Sequence, residues 1–196
     1  MNALEHPNHP AFPQPEDPIT TLWRYMNADR FEWLVTNQRL FMSKPDQLRD
    51  QLEGTTPKGE LEWWRREAAN AGTEEHRRTI EHNRQFLSRM AKGFRNHYYV
   101  SCWHMNQHEN HAMWRCYTTQ PEAVGIRTTY MTLRQCLPNY VGMGMVRYID
   151  YTNERLPTMN MFEYIMHKDI YYRFEREVRA VAFTPVVEEL GASHFR

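Results

Sequence analysis

Two carboxylates stand one residue apart in Arg173-Phe174-Glu175-Arg176-Glu177-Val178-Arg179-Ala180-Val181-Ala182-Phe183. From Val178 onward the run is mostly apolar and reads as a strand. Alternation then puts Glu175, Glu177 and Arg179 on one face, with Arg176, Val178, Ala180 and Ala182 on the other. Acids side by side on a nearly buried strand repel each other and lose hydration. A fold keeps them when cations pair with them or when chemistry uses them. Arg24 poses the complementary question. It lies in Leu22-Trp23-Arg24-Tyr25, and a guanidinium near a core requires an anion: Glu175, Glu177, Asp46 or a ligand phosphate. A structural Arg–Glu pair and a ligand grip are equally open at this point.

Ser101 to Tyr117 holds the remaining reactive types. Cys102, His104, His108, His111 and Cys116 are all metal-ligand residues, so a metal-dependent hydrolase or nuclease built on 102–116 is one reading. The spacing matches no zinc-finger or H-E-x-x-H template, and the expected metal set is none. Ser101 has no nucleophile elbow around it and no evident base, and Cys102 beside His104 is no protease signature. Met113, Trp114 and Tyr117 read as a core-facing helical stripe. Asp46, Asp50 and Glu53 share a helix face, where a solvated acidic surface is commoner than a cation site.

The elements that must position these groups alternate. Strands are expected at 20–25, 39–43, 98–103, 123–129, 144–151 and 178–183. Helices are expected after Asn27 or Asp29, over 45–52, 109–117, 132–137 and 159–171. Residues 58–96 are charged and helical, split at Gly72, and read as a helical insertion. With no Gly-rich phosphate loop after any strand, the expected fold class is α+β: one domain over 19–196, a mixed split β-sheet with short helices. Residues 1–18 carry five Pro and read as a flexible arm.

Acids and bases balance at 24 each, so no global basic field favours nucleic acid over protein. Three Cys without a CxxC pair argue for a reducing compartment, and no leader or membrane span is visible; the expected location is the cytoplasm. Aromatics make up 13% of the chain, enough to build a core or a groove with polar edges.

Several pieces together resemble the bacterial and phage family known as domain of unknown function 2971. They are Leu22-Trp23-Arg24-Tyr25; Leu40-Phe41-Met42-Ser43-Lys44-Pro45 followed by Asp50 to Glu53; Val100-Ser101-Cys102-Trp103 with Met113-Trp114 and Tyr117; Gly125-Ile126; Val146-x-Tyr148; and Glu175-x-Glu177-x-Arg179. The likeness spans roughly residues 20–183. Two departures stand out: the acidic turn reads Leu48-Arg49-Asp50-Gln51-Leu52-Glu53, not Asn-Asp-Pro-Phe-Glu, and the 58–96 block is long.

A looser resemblance is to ADP-ribosyltransferases of the Arg-Ser-Glu type, with Arg24, Ser101 and Glu175-x-Glu177 in the family's order. It implies an ADP-ribosyltransferase-like fold and NAD as substrate. Arg24 would hold the NAD phosphate or ribose, Ser101 would orient the site, Glu177 would act at the nicotinamide ribose, and Glu175 would position the acceptor. Tyr25 and Trp103 would stack the nicotinamide. Cys102 and Trp103 stand where a second Ser is usual. The resemblance implies modification of a protein or nucleic-acid acceptor by a toxin or phage-conflict effector, with an antitoxin or inhibitor as a further partner. A non-catalytic binding protein using its aromatic surface is the alternative.

Overall fold

Five strands, four of them with β-branched or aromatic residues and one a Gly-Met-Gly-Met run, pair into one antiparallel sheet in a computed structural model that describes residues 9–50, 52–158 and 160–184. The strands are β1 (Thr21–Asn27), β2 (Tyr98–Met105), β3 (Ala123–Thr129), β4 (Gly142–Met145) and β7 (Glu177–Phe183), in the spatial order β3-β1-β2-β7-β4. A separate parallel pair joins β5 (Arg147–Ile149) to β6 (His167–Asp169). The main sheet is therefore antiparallel, not mixed. The chain is a single α+β domain.

Register fixes which side chains share a face. His104 pairs with Glu177 and with Trp23, Trp103 with Val178, and Cys102 with Arg179. Alternation then places Leu22, Tyr99, Ser101, Trp103, Val178 and Ala180 on one face, and Trp23, Tyr25, Cys102, His104, Glu177 and Arg179 on the other. The first face packs under Tyr130 and Leu133 of α5 (Tyr130–Cys136). Each large apolar side chain buried there contributes about 1.5–3 kcal/mol. On the second face Trp23 and Tyr25 pack with Met113 of α4 (His111–Tyr117), while Tyr98, Val100 and Val181 pack with Phe162, Ile165 and Met166 around α6 (Glu163–Met166).

The sheet splits between β1 and β2. These strands pair at only two positions, Leu22↔Met105 and Trp23↔His104, whereas β2 runs on to Tyr98 against β7. Residues 39–43 cross this gap. They form a single bridge, Ser43↔Val100, in place of the strand expected there, because Pro45 ends the extended run at once. The expected 45–52 helix shrinks to one 3-10 turn, Pro45–Gln47. Beside the gap runs α1 (Ala28–Asn37), none of whose residues is fully buried.

Residues 58–96 form a hairpin of α2 (Lys58–Ala69) and α3 (Glu74–Arg95), broken around Gly72. Thr73 caps α3 by accepting from the His76 N–H. Gly59 seats α2 against 153–154, where a Cβ would stand 2.3 Å from the Glu154 carbonyl oxygen.

Three expectations change. The 144–151 strand is two strands, β4 and β5, which part at Val146 and join different sheets. The 159–171 helix is one turn, α6, followed by β6 and the 3-10 stretch Ile170–Glu175. Residues 9–18 of the supposed flexible arm are packed; residues 1–8 lie outside the described part. Ala11 and Phe12 are core residues, Met145 N–H donates to Pro13 O, and Gln14 Nε2 donates to Met143 O at 2.9 Å. Gly142 and Gly144 leave room for this strap, since a Cβ on either would meet Phe12 at 2.5–2.6 Å.

Candidate functional site

A cleft of about 580 Å³ opens at the split between β1 and β2. Its size suits a ligand as large as a dinucleotide. Of the residues singled out from sequence, Arg24, Tyr25, Trp103, Glu175 and Glu177 line it, and Ser101 does not.

Arg179 organises one end. It is fully buried and donates to Glu53 from Nη1 (2.8 Å) and Nη2 (2.6 Å), to Glu177 from Nε (2.7 Å) and Nη2 (2.9 Å), and to Ile165 O. Lys168 Nζ lies 2.6 Å from Glu175, 3.2 Å from Glu53 and 3.4 Å from Glu177. Burial alone would raise the Glu177 pKa, but Arg179 and then Lys168 outweigh it and hold the group down at about 2. Burial likewise opposes the charge on Lys168, and Glu177 and Glu53 more than reverse it.

The network holds three carboxyls and two cations, so one acid is undercompensated. It is Glu175, which touches Lys168 but not Arg179. Burial raises its pKa, and Glu177 adds to the rise against the pull of Lys168. Tyr117 hydrogen-bonds Glu175, so this ring serves the cleft and is not part of a core stripe.

Glu175 reaches this place by a route that alternation does not describe. It ends the 3-10 stretch, Arg176 then adopts φ 41°, ψ 55°, and the strand begins only at Glu177. A non-Gly residue in the left-handed region costs about 1–2 kcal/mol, a local strain typical of functional sites. The turn delivers the Glu175 carbonyl to His104, whose Nδ1 lies 2.6 Å away.

The other end is basic. Arg24 donates to Phe41 O at 3.0 Å across the gap, and its guanidinium stands 5.7 Å from the Trp103 ring centroid. No carboxylate among the described residues forms an ion pair with it, and its Nη1 is buried without a partner. Burial lowers Arg24 to about 10, and Arg30 nearby adds to the effect. The structural Arg–Glu pair left open from sequence belongs to Arg179, not to Arg24.

Ser101 points to the face opposite Glu177; Arg24 and Trp103 share that face but reach the cleft where it passes through the β1–β2 gap, and Ser101 does not. Its hydroxyl accepts the Trp103 indole N–H at 3.1 Å. Tyr25 is wedged between Trp23, stacked at 6.3 Å, and Trp114, edge-on at 4.8 Å. It and Trp103 are both buried, whereas Trp33 and Phe41 line the cleft and are 42% and 46% exposed. A planar ligand group finds accessible rings there.

The thiol of Cys102 is buried against Glu177, and both burial and that charge push its pKa up, so it is no thiolate nucleophile. His108 and His111 are exposed on the turn into α4, away from Cys102 and His104 on the strand. Among the described residues no three His, Cys, Asp or Glu side chains converge on a metal position. Likewise no helix among them is long and apolar enough to cross a membrane.

Sequence reasoning undervalued Glu53 and passed over Lys168. The Glu53-Gly54 pair was a signal: Gly54 takes φ 70° to turn the chain after the buried acid. Lys168 sits beside the apolar run Tyr164-Ile165-Met166, where an ammonium requires anions.

No protein-family model, curated protein or solved structure matches this chain. The likeness to domain of unknown function 2971 and to ADP-ribosyltransferases therefore rests on the residues quoted above.

Proposed function

We propose that the chain is an ADP-ribosyltransferase-like enzyme that takes NAD as substrate and modifies a protein or nucleic-acid acceptor, as a toxin or phage-conflict effector would. The observation that carries this reading is Arg24, a half-buried guanidinium with a buried Nη1 and no carboxylate partner among the described residues, in one aromatic-walled cleft with Glu175 and Glu177. Arg suits a bidentate grip on pyrophosphate. Trp33 or Phe41 would stack a base. Loss of nicotinamide leaves an oxocarbenium-like centre, which fixed negative charge favours more in the transition state than in the ground state.

Glu177 contributes that charge as part of a rigid network, since both its oxygens already accept from Arg179. Glu175, with one cation and a raised pKa, is the carboxyl that can exchange a partner for a ribose hydroxyl. Ser101 orients the site from the far face, through Trp103 beneath Arg24.

The test is nicotinamide release from NAD in the presence of candidate macromolecules. Glu175→Gln removes the charge and leaves the Arg179 pairs intact; it should lower release at least 100-fold. Release equal to wild type would remove Glu175 from the mechanism. Absence of release by wild type under all conditions would favour a non-catalytic binding protein, for which the exposed Trp33 and Phe41 at the cleft are the supporting feature.

A further inference from the structure

His104 is buried in the cleft wall, yet half its hydrogen-bonding capacity is unused. Nδ1 lies 2.6 Å from the Glu175 carbonyl oxygen. A carbonyl only accepts, so Nδ1 carries the proton. Nε2 is therefore a bare lone pair, and it has no partner. Leaving such an atom buried costs about 1–3 kcal/mol. The fold accepts this beside the undercompensated carboxyl, at the same strained turn.

We propose, on the strength of the ADP-ribosyltransferase reading, that His104 Nε2 is the proton acceptor of this cleft. In the step it serves, the C1′–N bond of the nicotinamide ribose breaks and its electron pair leaves with neutral nicotinamide. An O–H or N–H nucleophile of the acceptor forms the new bond to C1′, and its proton passes to Nε2. The imidazolium then releases the proton to water that enters the cleft as the products leave. The acceptor is thus a group that is protonated and uncharged before attack, such as a hydroxyl or an amide N–H.

The surroundings keep the imidazole neutral. Burial lowers its pKa and the neighbouring Arg176 lowers it further, against the hydrogen bond to Glu175 O. From β7 it faces Glu177 and the Glu175 backbone; from β1 it faces Trp23 and Tyr25, the Tyr25 ring 6.4 Å away; along β2 its same-face neighbour is Cys102. A neutral base at pH 7 with a pKa below 6.5 is poised for transfer, and a positioned base of this kind is worth about 10²–10⁴ in rate.

His104→Asn tests the assignment, because the Asn amide sits near the Nδ1 position and still donates to Glu175 O while Nε2 is lost. With NAD as probe, NAD affinity should stay within about threefold, and transfer should fall about 10²–10⁴-fold. The acidic limb of the wild-type kcat/KM profile, with an apparent pKa below 6.5, should vanish. Wild-type release of nicotinamide with an unchanged rate and limb in His104→Asn overturns the His104 role alone. No release by wild type overturns the cleft reading first and this role with it. Should His104→Asn fail to fold, the ¹⁵N spectrum of wild type decides: a neutral ring with its proton on Nδ1 at pH 7 supports the role, and a proton on Nε2 overturns it.

Discussion

Replacing Arg179 by Met leaves three buried carboxyls facing Lys168 alone. Arg179 makes four charge-assisted bonds to Glu53 and Glu177, and it is the largest influence lowering the Glu177 pKa. A folded pKa of about 2 against 4.5 corresponds to about 3 kcal/mol at neutral pH. Removing one partner of a buried pair costs about 3–5 kcal/mol on independent grounds. Arg179→Met should therefore lose about 3–5 kcal/mol at pH 7, and its Tm should fall by roughly 10 °C in a domain of this size.

The pH dependence has a definite sign. A depressed carboxyl pKa gives stability that is fully present above 4.5 and is lost as pH falls through 4.5 toward 2. Glu175 is shifted upward, so its share is present below 4.5 and lost as pH rises through its folded value. The deficit of Arg179→Met should therefore be largest at pH 7 and should shrink by pH 3. Urea unfolding followed by tryptophan fluorescence at both pH values measures it. A loss below about 1 kcal/mol at pH 7, or a loss equal at pH 7 and pH 3, would refute the electrostatic account.

Arg24→Met removes a half-buried cation that pairs with no carboxylate among the described residues, so it should leave Tm unchanged or raise it while weakening NAD binding at least tenfold in calorimetry; a large fall in Tm would mean that Arg24 is structural. Ser101→Ala strands the Trp103 indole N–H in the core and should cost about 1–3 kcal/mol in urea, with the chemical step affected far less than in Glu175→Gln; a larger loss in the chemical step would give Ser101 a direct role. Gly144→Ala sets a Cβ 2.6 Å from the Phe12 backbone and should cost about 1–3 kcal/mol through displacement of the 9–18 strap, read as a lower Tm and earlier proteolysis near Phe12; wild-type behaviour would mean that the strap is loosely held.

Strand alternation is local, and it correctly separates Leu22 from Trp23 and Glu177 from Val178. The same rule, applied to Ser101 and Cys102, already implies that only one of them can share the Glu177 side; register then gives that side to Cys102. At Glu175 alternation names the right side for the wrong reason: the strand begins only at Glu177, and a 3-10 stretch with a left-handed Arg176 returns Glu175 to the side of Glu177, where both meet Lys168.

From sequence alone came the α+β class, the helical block at 58–96, and the group of Arg24, Tyr25, Trp103, Glu175 and Glu177 that lines one cleft. The class and the helical block are short-range properties, read from periodicity and turn chemistry; the group came from the order of residues that the resemblance picks out, and it included Ser101, which the cleft leaves out. Tertiary structure alone decided which acid is locked and which is spare. Glu53 meets Arg179 across 126 positions of chain, and Lys168 joins them from a strand in a different sheet. Charge compensation depends on distances of a few ångströms between such remote segments, and no local pattern encodes it. The same holds for Phe12, whose place is set by two glycines 130 and 132 residues downstream, and for His104, whose free nitrogen is defined by a carbonyl on the neighbouring turn.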